Sequence, residues 1–182
     1  NLVISRLEDI ISGMQKTDSS WTVSNIRLAD LLAERARLRF MNEVEASCKG
    51  CKGSTADRAK ALQIYGMVLN DTKASQKGVI LFQMAHLHEI GGDTAKAMTI
   101  YKNILKDKSG IFTTDMITRS RVSLADFYFQ SSKYKDAKAL YQAALKKAGV
   151  VQKGIILYRL AWCDYNLGNF KTAISALENL AA

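Results

Sequence analysis

Apolar residues recur at spacings of three, four and seven along most of the chain. Leu28, Leu31, Leu32, Leu38 and Met41 keep this rhythm, as do Met84, Leu87 and Ile90, and then Leu124, Phe127 and Phe129 with their flanks. Such spacing returns to one side of a helix at each turn, whereas a half-buried strand would alternate with period two. No long stretch alternates, so the pattern predicts an all-α fold.

The helices also repeat as pairs. Two stretches read QKGVILFQMA from Gln76 and QKGIILYRLA from Gln152, 76 positions apart. A small residue is followed four positions later by a large one at Ala61/Tyr65, Ala97/Tyr101, Ala137/Tyr141 and Ala173/Leu177. Large-small pairs, Met84-Ala85, Leu124-Ala125 and Leu160-Ala161, sit 12 residues before the last three of those small residues. Turns fall between, at Gly91-Gly92-Asp93, Ser131-Ser132-Lys133 and Leu167-Gly168-Asn169. The unit is therefore helix, turn, helix, recurring after 36, 40 and 36 residues. One such pair cannot bury its apolar face alone, so the units are expected to stack.

This arrangement resembles the tetratricopeptide repeat family, whose 34-residue unit combines a large-small pair, a turn and an alanine four residues before a large ring. The best match runs from Leu157 to Leu177. The resemblance implies a right-handed α-solenoid of stacked helix-turn-helix repeats. Residues 1–20 are then a helix with the character of a preceding repeat's second helix, its spacing carried by Val3, Leu7 and Ile10. Residues 21–76 form a first repeat with an extended first helix and a cysteine-containing loop at 47–56. Further repeats occupy 77–113, 114–152 and 153–182. The echoed lysine and glycine, Lys77-Gly78 and Lys153-Gly154, are expected in the inter-repeat turns. Both ends read as cut, as in a fragment of a longer array or one whose end is hidden in a partner copy.

The resemblance also implies a concave groove lined by the first helices. By register it holds Phe82, Gln83, His86 and Glu89, then Arg119, Val122, Asp126 and Phe129, then Ile155, Tyr158, Arg159, Trp162 and Tyr165. Aromatic rings with a few charges are the residue types that anchor protein segments. A non-catalytic scaffold that docks a protein or extended peptide is the reading this favours. Self-association through the apolar stripe Ile174, Leu177 and Leu180 is the alternative. Only two groove cations are present and they alternate with Glu89 and Asp126, which argues against the family's capture of acidic chaperone tails.

Composition changes little of this picture. The 182 residues contain no proline, which suits helices joined by short turns, and carry a net charge of +9. Lysines gather at turns and second helices (Lys102, Lys106, Lys108, Lys133, Lys135, Lys138, Lys146 and Lys147), as a solvated face does, so nucleic acid is the third reading. No apolar run approaches the length of a membrane span.

Candidate chemistry is sparse. Cys48-Lys49-Gly50-Cys51 admits a local disulfide, half a zinc site or a redox pair, preferred in that order because no second ligand pair and no βαβ pattern accompany it. A disulfide would lean the chain towards an oxidising compartment such as a bacterial periplasm, against a cytoplasmic alternative. His86 and His88 point about 200° apart on a helix and cannot grip one ion. Cys163 sits mid-helix beside Ala161 and reads as buried. No nucleotide loop, nucleophile elbow or metalloprotease motif occurs, so no catalytic residue, metal or cofactor is assigned.

Overall fold

The computed structural model describes residues 2–48, 50–147 and 149–181. They form nine α-helices and one 3-10 turn, with no strand among the described residues. The chain divides into two compact units, Asn1–Asp93 and Thr94–Ala182.

The first unit contains α1 (Leu2–Ser12), α2 (Trp21–Glu45), α3 (Gly53–Val68), the 3-10 turn Leu69–Asp71 and α4 (Ala74–Ile90). Its core joins Leu28, Ala29, Leu32 and Ala33 of α2 to Ala61, Ile64, Tyr65 and Val68 of α3, with Ile80 and Leu87 of α4. Small residues at Ala29, Ala33 and Ala61 let α2 and α3 approach closely, and Tyr65 fills the seam towards α4. The second unit contains α5 (Thr94–Lys106), α6 (Thr114–Gln130), α7 (Tyr134–Leu145), α8 (Val150–Asn166) and α9 (Phe170–Ala181). Its core repeats the scheme with Ala125, Ala137, Tyr141 and Ala144 against Ile156 and Cys163 of α8. Each seam thus sets alanines within a hairpin and a tyrosine between that hairpin and the next helix.

Three turns have one geometry. Gly92, Ser132 and Gly168 all adopt positive φ, at 77°, 58° and 82°. In each turn the following N–H reaches five residues back, Asp93 to His88, Lys133 to Tyr128 and Asn169 to Asp164, while the residue itself donates to the carbonyl three back. This closure satisfies carbonyls left open at the end of the helix.

Several boundaries differ from the sequence expectation. Lys77-Gly78 and Lys153-Gly154 lie inside α4 and α8, not in turns, because those helices begin at Ala74 and Val150. The loop expected over 47–56 ends earlier, since α3 starts at Gly53. The Glu43 carboxylate accepts from the Ser54 backbone N–H at 3.0 Å and from its hydroxyl, and so caps that helix. In α1 the buried stripe is Ile4, Leu7 and Ile11 against α2. Val3 and Ile10 are instead 64% and 57% exposed, one helical position out of register with the expected face. In α2 Leu28 and Leu32 are buried, but Leu38 and Met41 are exposed.

The extended α2–α3 hairpin carries its own polar clasp. Asp57, almost fully buried, accepts from Arg35 at 2.7 and 2.6 Å and from Arg39 at 2.8 Å. Beyond it, a disulfide joins the exposed Cys48 and Cys51, whose Cα atoms are 5.7 Å apart.

Candidate functional site

In the first unit, α2 and α4 present a polar face. The Tyr65 hydroxyl donates to Asp30 at 2.6 Å. Burial, and then this bond to a carboxylate, push the phenol far above its ordinary value. Arg37 of α2 donates to Gln83 of α4 and, at 3.2 Å, to Glu34. Its Nε is buried without a hydrogen-bond partner among the described residues. A cavity of about 330 Å³ opens here, lined by Arg27, Asp30, Glu34, Arg37, Tyr65 and Gln83 among others. His86 lies 3.3 Å from Glu89. Phe82 is only 7% exposed, so its ring is taken up inside the fold.

The second unit repeats the tyrosine contact. Tyr141 of α7 donates to Asp126 of α6, two residues beyond Leu124, as Tyr65 donates to Asp30, two beyond Leu28. Arg159 of α8 lies 3.4 Å from Asp126 and stacks over the Phe129 ring at 5.9 Å. Arg119, Val122 and Ser123 of α6 and Gln152, Ile155 and Ile156 of α8 enclose a cavity of about 200 Å³. The residues Val122, Asp126 and Phe129 therefore face α8 and are partly covered by it.

On α8 the corresponding face carries rings exposed among the described residues. Tyr158, Trp162, Tyr165 and Phe170 form a chain of edge-to-face rings with centroids 6.2, 5.5 and 5.2 Å apart. Tyr158, Tyr165 and Phe170 are 47%, 48% and 54% exposed. The Trp162 Nε1 is buried and finds no hydrogen-bond acceptor among the described residues. An unmade bond of this kind costs roughly 1–3 kcal/mol. Register on the helix brings these rings together, and Phe170 at the start of α9 extends them. Sequence reasoning omitted Phe170, although its place after the turn, matching Tyr134, carried the signal.

Elsewhere little chemistry is assembled. Among the described residues, no group of three or more His, Cys, Asp or Glu is placed to hold a metal. Burial pushes the Cys163 thiol up to about 11, with the Asp164 charge adding to it. Asp164 itself is driven up by burial, but bonds from Lys138 at 2.6 Å and Asn169 at 2.9 Å prevail and hold it below its ordinary value. No described helix is long and apolar enough to cross a membrane.

Comparison with known proteins agrees with the repeat geometry. Residues 156–182 match the tetratricopeptide repeat family. No curated protein matches the sequence. Among solved structures, the chain is similar to nearly identical TPR-like repeats from a Podosopora anserina protein assigned as a kinesin light chain. The TM-score is 0.63 at 12% identity, over 99% of this chain and 84% of that one. A single-substitution variant of the same protein gives 0.62 at 12% identity over the same shares. The chain therefore carries a tetratricopeptide repeat at residues 156–182 and has the all-α solenoid fold of TPR-like repeat proteins.

Proposed function

We propose that this protein is a non-catalytic interaction scaffold whose first helices receive a partner protein. The exposed ring chain on α8 carries the reading. Aromatic side chains with polar tips give large contact area at low entropic cost, and they dominate the energetics of protein interfaces. Tetratricopeptide-type repeats support an interaction role in general, and docking on α6 and α8, with α2 and α4 as a second face, is the specific form proposed. Arg119 and Arg159 at the margin, each near an acidic neighbour, supply orientation more than net attraction. Localisation in a bacterial envelope rests only on the disulfide.

Affinity capture tests this reading directly. Tyr158→Ala and Trp162→Ala should each lower partner recovery about tenfold or more, as loss of an interface anchor does. Lys135→Glu, exposed on α7, should leave recovery unchanged. Equal recovery by all variants would remove the α8 face from consideration.

Self-association is a second reading. Ile174 and Leu180 of α9 are exposed and lie on one stripe with the half-buried Leu177. A concentration-dependent dimer abolished by Leu177→Lys with Leu180→Lys would establish it, and a dimer that survives the pair would eliminate it.

A further inference from the structure

The Cys48–Cys51 disulfide adds little hold that the fold lacks without it. It joins residues three apart in sequence, between the end of α2 and the start of α3. Around it, other contacts already tie the same two helix ends. Glu43 of α2 accepts from the Ser54 backbone N–H at 3.0 Å and from the Ser54 hydroxyl. One turn earlier on α2, Arg39 donates to Asp57 at 2.8 Å and to the Gly53 carbonyl at 3.4 Å. Ser54 and Asp57 are both buried, so water competes poorly for these bonds. The paired residues are 11 and 18 positions apart, and the disulfide lies inside both closures. Cys48 is also held through its own N–H, which donates to the Glu43 carbonyl at 2.9 Å.

A cross-link stabilises mainly by restricting the unfolded chain, and the effect shrinks with the loop that it closes. A bond between residues three apart therefore stabilises far less than one closing a long loop. Its sulfurs are, however, in reach of solvent. Cys48, Gly50, Cys51 and Lys52 are all exposed. Exchange needs an attacking thiolate to reach one sulfur of the bond, and exposed disulfides are the labile ones. Each of the two cysteines is followed by a lysine, Lys49 and Lys52. Positive charge nearby favours the thiolates that exchange releases. The third cysteine, Cys163, is buried in the core of the second unit, so it does not divert the pair.

We propose that Cys48–Cys51 is a reversible thiol–disulfide exchange site, opened by a dithiol and closed again by a disulfide while α2 and α3 stay paired. In the forward direction a thiolate of the dithiol attacks one cysteine sulfur. The Cys48–Cys51 bond breaks, and its electron pair leaves on the other sulfur, which takes up a proton. The second thiol of the dithiol gives its proton to water and attacks the mixed disulfide, releasing the first cysteine, which is protonated in turn. The dithiol is oxidised by two electrons to a disulfide, and Cys48 and Cys51 become thiols. A disulfide oxidant drives the same steps in reverse. This inference stands apart from docking on α8.

Equilibrating the full chain with mixtures of reduced and oxidised dithiothreitol, then quenching, alkylating and mapping by mass, measures the exchange. Cys48 and Cys51 should be half reduced when the oxidised reagent exceeds the reduced one by about tenfold or more. Oxidised glutathione should then return the pair to the internal disulfide. On reduction the far-UV helix signal should persist, and the thermal midpoint should fall by less than about 8 °C. Cys48→Ser with Cys51→Ser should unfold at the same temperature as the reduced protein. A pair half reduced only with reduced dithiothreitol in excess would overturn the proposal. Loss of helix on reduction would also overturn it, by making the bond a structural staple, as would a glutathione adduct that never closes to the internal disulfide.

Discussion

At the scale of single residues, the polar contacts that matter join neighbouring helices. Asp57 is the clearest case, since two arginines of α2 converge on one carboxylate of α3. Asp57→Ala leaves Arg35 and Arg39 facing each other without a counter-charge. Because the arginines left behind are partly solvated, the loss should be about 1–2 kcal/mol in denaturant unfolding, below that of a fully buried pair. Glu43 and Asp164 both sit below their ordinary values of 4.5 and 3.8, Glu43 through its hydrogen bonds from Ser54. A depressed carboxyl stabilises the fold fully above its unfolded value, and that contribution is lost as pH falls through the lower folded value. Below pH 4.5 the urea midpoint of Glu43→Gln with Asp164→Asn should therefore fall less steeply than that of the unaltered protein; parallel curves would contradict this. Thiol chemistry separates the three cysteines. Native unreduced protein should take up no iodoacetamide on the hour scale, mild reduction should expose Cys48 and Cys51, and only unfolding should release Cys163, buried and with its thiol pushed up. Peptide mass mapping reads all three stages.

At the scale of elements, turn chemistry and helix register decide how much could be read from the sequence. The seam alanines were legible because close helix packing tolerates little else: Ala85, Ala97, Ala125, Ala137, Ala161 and Ala173 are all buried. The turns after α4, α6 and α8 were legible from Gly92, Ser132 and Gly168. Helix starts were not. Without proline to mark them, Lys77-Gly78 and Lys153-Gly154 look like turns, yet α4 and α8 simply begin earlier. In α1, six apolar positions allow two overlapping stripes, and only contact with α2 selects Ile4, Leu7 and Ile11. The ring chain on α8 was visible residue by residue, but that the rings meet edge to face shows only in the fold. Ser132 offers a test of the turn account. It adopts a left-handed conformation that Gly occupies in both sister turns, so Ser132→Gly should raise stability by up to about 1 kcal/mol. Gly168→Ala should lower it by a similar amount, and thermal unfolding of the two variants in opposite directions is the expected result.

At the scale of the whole molecule, the repeats explain where the small and the large apolar residues fall. Their conserved work within the chain is packing: alanines inside hairpins and tyrosines between them. What varies is the outer surface of the first helices, and there α8 presents rings and an orphan donor where α6 presents a satisfied carboxylate. The central claim is that this face is where a partner sits. Photo-crosslinking residues placed singly at 158 and 165, and for comparison at 135 and 142 on α7, measure it most directly in the native cellular setting. The account predicts that one partner is trapped from 158 and 165 and not from 135 or 142. Trapping of the same partner from α7 alone, with none from α8, would contradict it.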